Sequence, residues 1–234
     1  MWKGLLLSVN RDPYRELRIG FTAAVSHELR TPLARLLALI DGASLPGSDP
    51  AAALDQMRDE VALMDELIDD VLFLSELETG REVVSLGATQ AAPVLRAVAS
   101  ELAERSERAG VALEVEIGDE ELELPLRARM LRIVVQNLAE NALRHAGEGA
   151  TAVLALGREN GYPVLSVRDD GVGVEAEDLS RLFERFYRAD RARASRGSGL
   201  GLSIVKHVVE AAGGQVEALG APTEGLEIRC VFAG

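Results

Sequence analysis

Residues 54–80 read LDQMRDEVALMDELIDDVLFLSELETG, and Leu54, Met57, Val61, Met64, Ile68 and Val71 recur there at spacings of 3, 4, 3, 4 and 3. That alternation is the a/d seam of a helix lying along another helix. Leu67, Leu74 and Leu77 widen the stripe beyond what one partner helix covers. Upstream, Leu45-Pro46-Gly47-Ser48-Asp49-Pro50 is a turn cluster, with Asp49 suited to an N-cap and Pro50 to the first helical position. Before it, from about Pro13 to Ala43, Leu17, Phe21, Val25, Leu29, Leu36 and Ile40 follow mostly helical spacing. Two long helices on a short loop predict an all-α antiparallel hairpin. The uncovered stripe predicts that two hairpins pair in a homodimeric four-helix bundle, unless it packs on the rest of the same chain.

Gly80 stops the second helix and marks a boundary. Beyond it the pattern is mixed. Helices are predicted over Ala92 to Ala109, Arg129 to Ala146 and Gly201 to Ala212. Strands are predicted over Val111 to Ile117, Leu122 to Leu126, Ala150 to Leu156, Tyr162 to Val167, Gln215 to Leu219 and Leu226 to Phe232. Asn160-Gly161 joins two of them as a hairpin. The expected fold is an α+β two-layer sandwich, with helices on one face of a sheet.

Composition narrows the function. The chain has 234 residues, 47% hydrophobic and only 4% aromatic, so aliphatic side chains build the core. Twenty-five Lys and Arg against 38 Asp and Glu give a net charge of −13. That argues against a general nucleic-acid binder, whose affinity comes from cations on phosphates, while leaving room for one local basic site. A single cysteine, Cys230, rules out an internal disulfide framework and fits a reducing, cytoplasmic compartment. No apolar run reaches the roughly 18–20 residues of a membrane span. The best N-terminal candidate, Leu5 to Val9, is too short even for a signal peptide. Membrane attachment would need a further upstream segment.

Four stretches could carry chemistry. Ser26-His27-Glu28-Leu29-Arg30-Thr31-Pro32 crowds polar residues into a long helix. Thr31 shares a face with His27, and Pro32 removes a helical hydrogen bond just beyond. An imidazole beside a carboxylate can act as a nucleophile whose other nitrogen gives its proton to that carboxylate. A His-Glu pair alone is also what an ordinary exposed helix face carries. Asn137, Asn141 and His145 lie four apart on one face, where amide oxygens suit a hydrated Mg²⁺ or simply an exposed polar stripe.

Asp169-Asp170-Gly171-Val172-Gly173 follows a strand. Its glycines let the backbone approach a ligand, and a carboxylate there can accept from an exocyclic amine such as adenine's. An ordinary turn has the same composition. Arg196-Gly197-Ser198-Gly199-Leu200-Gly201 opens a helix, where backbone amides form an anion site. It matches neither the P-loop nor the dinucleotide fingerprint. Arg188, Arg191, Arg193 and Arg196 reverse the local charge, as a triphosphate requires.

In this order and spacing the stretches resemble the catalytic core of a two-component sensor histidine kinase, from about Arg15 to Phe232. Ser26–Pro32 matches the family's H box, Asn137–Asn141 its N box and Asp169–Gly173 its first glycine box. Phe183-Glu184-Arg185-Phe186-Tyr187-Arg188 matches the F box, and Gly197–Gly201 the second glycine box. The resemblance implies a dimerisation and phosphotransfer hairpin over residues 15–80 and a Bergerat-type ATP-binding domain over 81–234. Residues 1–14 would be a tail or the remnant of an upstream sensor linker.

His27 would be the phosphoacceptor and Glu28 the base on its non-attacking nitrogen. Thr31 would orient water for dephosphorylation of a regulator. Asn141 would hold Mg²⁺, with Asn137 supporting the site, and Asp169 would bind the adenine amine. Gly171, Gly173 and Tyr187 would line the ATP site. Arg144, His145 and Arg188 would lie near the phosphates, and Gly197, Gly199, Leu200 and Gly201 would end the ATP lid. The partners implied are a second copy of the chain and a response-regulator receiver domain. Gyrase-type relatives carry a glutamate base where this chain has Asn137, which favours kinase over hydrolase. An ATP-sensing scaffold, with His27 merely exposed, is the non-enzymatic alternative.

Overall fold

The computed structural model describes residues 13–45, 48–79, 87–189 and 197–233, with backbone alone for 13–21 and 78. The expected tail up to residue 12, the stop at Gly80, the turn residues Pro46 and Gly47, and Arg191, Arg193 and Arg196 lie outside them. The chain divides into two compact units, one ending at Glu66 and one beginning at Leu67.

The first unit is built from two helices, α1 (Pro13–Ala43) and the larger part of α2 (Pro50–Glu78). Asp49 caps α2 as its side-chain chemistry dictates: Oδ1 accepts from the Ala51 and Ala52 amides at 3.0 and 3.2 Å. α1 runs on through Pro32, which is buried. The Glu28 carbonyl therefore loses its usual donor one turn on.

The expected seam of α2 splits into two lines. Met57, Met64 and Val71 are half-buried, whereas Leu54, Val61 and Ile68 are exposed. Leu33, Leu37 and Ile40 of α1 are exposed as well. Glu60 is buried beside Arg35 Nη1 at 3.7 Å, and its Oε2 has no hydrogen-bond partner among the described residues.

The second unit holds a five-stranded sheet. In chain order its strands are β2 (Ala112–Ile117), β4 (Thr151–Glu159), β5 (Tyr162–Asp169), β6 (Gln215–Gly220) and β7 (Leu226–Val231). They lie in the order β2-β4-β5-β7-β6, with β2 and β4 parallel and every other pair antiparallel. The register aligns Val115, Leu154, Val167, Ile228 and Ala218 across one face. Helices α3 (Ala91–Glu101), α5 (Ala128–His145) and α7 (Gly201–Ala211) pack on the sheet and on one another. They bury Leu95, Met130, Val134, Leu138, Val205 and Val208. The other face aligns Glu116, Ala155, Ser166, Arg229 and Glu217 and carries ion pairs, with Arg168 Nη2 3.0 Å from Glu116 Oε2. Period-two alternation thus sorts the sheet into a core face and a polar face.

Asn160 and Gly161 both have positive φ, 50° and 88°, which is the primed turn that suits a two-residue β-hairpin. Two local expectations are corrected. The helix predicted over Ala92–Ala109 breaks at Leu102 (φ −87°, ψ 1°) into α3 and α4 (Ala103–Ala109). The break redirects α4 so that Ser106 exchanges hydrogen bonds with Val111 at the entry to β2. The strand predicted over Leu122–Leu126 shrinks to β3 (Glu123–Leu124). It pairs outside the main sheet with β1 (Thr89–Gln90). Leu122, Leu124 and Leu126 are all buried, so their alternation reported burial rather than membership of the sheet. A short helix, α6 (Ala176–Leu179), was not expected.

Candidate active site

On α1, the His27 side chain is exposed, and its Nδ1 lies 3.5 Å from Glu28 Oε1. That proximity favours the tautomer with the proton on Nδ1 and presents Nε2 to a reagent. Thr31 Oγ1 donates to the His27 carbonyl at 3.4 Å. His27, Arg30, Thr31, Ala34, Arg35 and Ala38 line an open concavity of about 490 Å³.

In the second unit α5 supplies the remaining polar residues. Asn137, Asn141, Arg144 and His145 are all half-buried. Asn137 Nδ2 donates to the Ile133 carbonyl at 2.9 Å. Its Oδ1 faces Gly201, where a Cβ would sit 2.5 Å away. Arg144 Nη1 lies equally close to the Cβ position of Gly197. The second glycine box is therefore packed directly on the helix that carries the asparagines.

The first glycine box is joined to the end of the same helix. The Val172 amide donates to the Ala146 carbonyl at 3.0 Å. A Cβ on Gly171 would lie 2.1 Å from that carbonyl oxygen. Gly173 has φ +66°, and a Cβ there would meet the Ala221 carbonyl at 1.9 Å, so only glycine fits. The adjacent aspartates divide their work. Asp170 Oδ1 accepts from the Thr151 amide at 2.7 Å and is structural. Asp169 is half-buried, with Oδ1 accepting from the Gly171 amide at 3.0 Å. Burial raises the Asp169 pKa, against the backbone hydrogen bonds from Gly171 and Leu226, which lower it.

Burial and charge act together on His145. Burial first, and then Arg144 and Arg188, push the His145 pKa down to about 4. His145 is therefore a neutral imidazole between cations at pH 7. Tyr187 donates its hydroxyl to Asp178, and Arg181 stacks over its ring at 4.1 Å from the centroid. Phe186 has φ 61° and donates its amide to the Gly199 carbonyl at 2.9 Å.

Two side-chain pairings beside the site were not read from the sequence. Glu140 Oε1 accepts from Arg105 Nη1 of α4 at 2.8 Å and from Gln136 Nε2 at 3.0 Å. Its i±4 spacing from Gln136 and Arg144 was the available signal. Ser198 Oγ donates to Asp70 Oδ2 of α2 at 2.8 Å, a pairing with no local signature.

Among the described residues no cluster of three or more His, Cys, Asp or Glu could hold a metal ion. An amide oxygen such as that of Asn141 fits a magnesium ion whose other ligands are phosphate oxygens and water. Glycines packed on Asn137 and Arg144 at a helix N-terminus likewise fit an anion.

Comparison with known proteins agrees with the geometry. Residues 17–80 match the His Kinase A (phospho-acceptor) domain. Residues 127–233 match the Histidine kinase-, DNA gyrase B-, and HSP90-like ATPase family. The signal transduction histidine-protein kinase BaeS of Escherichia coli K12 is 34% identical over 228 residues, covering 95% of this chain and 48% of BaeS. The alginate biosynthesis sensor protein KinB of Pseudomonas aeruginosa is 30% identical over 217 residues, covering 91% of this chain and 36% of KinB. The fold is that of histidine kinase ThkA, solved in complex with response regulator protein TrrA. There the TM-score is 0.74 at 21% identity, over 95% of this chain and 64% of that one. The chain belongs to the two-component sensor histidine kinases, as their catalytic core. It spans about half or less of the length of these curated relatives.

Proposed function

We propose that this core phosphorylates itself on His27 with ATP and then passes the phosphoryl group to an aspartate of a response-regulator receiver. The observation that carries the reading is the His27–Glu28 pair, with Nδ1 against the carboxylate and Nε2 left open. Nε2 attacks the γ-phosphorus in line, a P–N bond forms, and the bond to the bridging oxygen breaks. ADP leaves with that electron pair, and the Nδ1 proton passes to Glu28.

The second unit binds and orients the nucleotide. Asp169 accepts from the adenine amine, and Gly171, Gly173 and Tyr187 line the site. Arg144 and Arg188 offset phosphate charge beside the neutral His145. The backbone from Gly197 through Leu200 to Gly201 faces the phosphates. Asn141, supported by Asn137, would hold Mg²⁺, which screens charge on the transferring phosphoryl group. Water competes poorly because Asn137 cannot act as a base and Glu140 is committed to Arg105 and Gln136. Thr31, one turn from His27, suits a second activity in which it orients water against a phosphorylated regulator.

The exposed line of Leu33, Leu37, Ile40, Leu54, Val61 and Ile68 supports a homodimer, with four helices burying it at their centre. No helix among the described residues is long and apolar enough to cross a membrane. The reading places this core in the cytoplasm, with any membrane anchor contributed by a further segment.

The test is incubation with γ-labelled ATP and Mg²⁺, followed by acid and base treatment. Label stable in base and lost in acid, and absent in His27→Gln, is the expected outcome. Phosphate release without protein-bound label would instead indicate an ATPase.

A further inference from the structure

Ser198, between Gly197 and Gly199 ahead of α7, is 7% exposed. Its hydroxyl donates a hydrogen bond to Asp70 Oδ2 at 2.8 Å, and its oxygen accepts from the Leu200 amide at 3.1 Å. Asp70 sits on α2 in a single stripe with Leu67, Leu74 and Leu77, all three buried. The second compact unit begins at Leu67, so this end of α2 belongs to the same unit as the loop.

A glycine-rich loop at a helix N-terminus holds an anion through its free donors. Ser198 has one hydroxyl proton, and a carboxylate holds it in the stronger, charge-assisted class of hydrogen bond. The Leu200 amide is engaged in turn by Ser198 Oγ. Two donors of the phosphate-facing loop are thus satisfied internally, and a carboxylate stands beside them, where its charge opposes an arriving anion.

We propose that Asp70 is a positioning residue on α2 that competes with nucleotide phosphate for the Ser198 hydroxyl, so that α2 restrains nucleotide binding. The proposal rests on reading the second unit as a nucleotide site. It assigns α2 a role apart from carrying the hairpin seam. It also makes Asp70 a lever: any movement that draws this turn of α2 away frees the Ser198 hydroxyl for phosphate.

The test measures binding of a non-hydrolysable ATP analogue and of adenosine to the full chain, for wild type, Asp70→Asn, Asp70→Ala, Ser198→Ala and the Asp70→Ala/Ser198→Ala double variant. The analogue should bind about three- to ten-fold more tightly to Asp70→Ala, as loss of one competing hydrogen bond implies. Asp70→Asn, which removes the charge but keeps the shape, should move the same way. Adenosine, which has no phosphate, should bind equally to all. In the Ser198→Ala background the Asp70 substitution should have a smaller effect, limited to relief of the carboxylate's charge. Unchanged or weaker analogue binding to both Asp70 variants, with unaltered thermal melting, overturns the proposal. An equal gain for adenosine overturns it too. Failure of wild type to bind either nucleotide or adenosine overturns the nucleotide-site reading itself.

Discussion

The two units treat their apolar side chains in opposite ways. In the sheet unit Leu138, Leu154, Leu165 and Val208 are almost wholly buried by the chain itself. In the hairpin, Leu37, Leu54 and Val61 are each more than half exposed. The sheet unit completes its own core, whereas the hairpin leaves one face to be completed by another surface. The two histidines proposed for the site follow the same division. His27 stands in solvent with Nδ1 3.5 Å from Glu28 Oε1, the arrangement on which its proposed nucleophilic role rests. His145 is enclosed between arginines and held neutral.

That contrast can be broken or sharpened by experiment. The largest effect expected is on core integrity. Leu154→Ala should destabilise the sheet unit by about 2–5 kcal/mol, read as a lowered denaturation midpoint. Val61→Ser should leave that transition nearly unmoved and raise the dissociation constant of the proposed dimer, measured by sedimentation. Equal effects on the sheet transition would abolish the distinction between a closed core and an unfinished face.

A middle-sized effect is expected from pH. The His145 pKa falls from 6.5 to about 4 in the folded state, so below pH 6.5 the unfolded chain takes up a proton that the folded chain refuses. Stability from this group is complete above pH 6.5 and is lost as pH falls toward 4. Asp169, raised by burial, has the opposite sign. The difference between wild type and His145→Gln in urea titrations at several pH values isolates the histidine. A difference independent of pH between 6.5 and 4 would overturn the assignment. The smallest effect is at the cap: Asp49→Ala should cost about 1 kcal/mol through loss of the hydrogen bonds to the Ala51 and Ala52 amides. It should be visible in hairpin melting and absent from the sheet transition.

What sequence could deliver follows from the range of each interaction. Asp49 as a cap, Asn160-Gly161 as a turn, the long periodic helices α1, α2 and α5, and the His27–Glu28 pair are all settled within a few residues. They were legible for that reason. The break at Leu102 carries no glycine or proline, because what redirects the chain is a pairing of Ser106 with Val111. β3 pairs with a strand more than thirty residues upstream over only two positions, too short a match for periodicity to detect. The glycine boxes announced a binding loop. Their contacts with Asn137, Arg144 and Ala146 emerged only when α5 was set beside them. The motif pointed to Asp169, and the bond of its neighbour Asp170 to the Thr151 amide, nineteen residues upstream, had no local signal.

The parallel pairing of β2 with β4 has a consequence for how the nucleotide site is built. Parallel neighbours need a crossover, and α5 is carried in the segment between these two strands. The helix bearing Asn137, Asn141, Arg144 and His145 is thus spliced into the sheet at both ends, like a rung fixed to both rails. The two glycine-rich segments that close on it are loops. α5 is accordingly the datum against which the two glycine-rich loops are set.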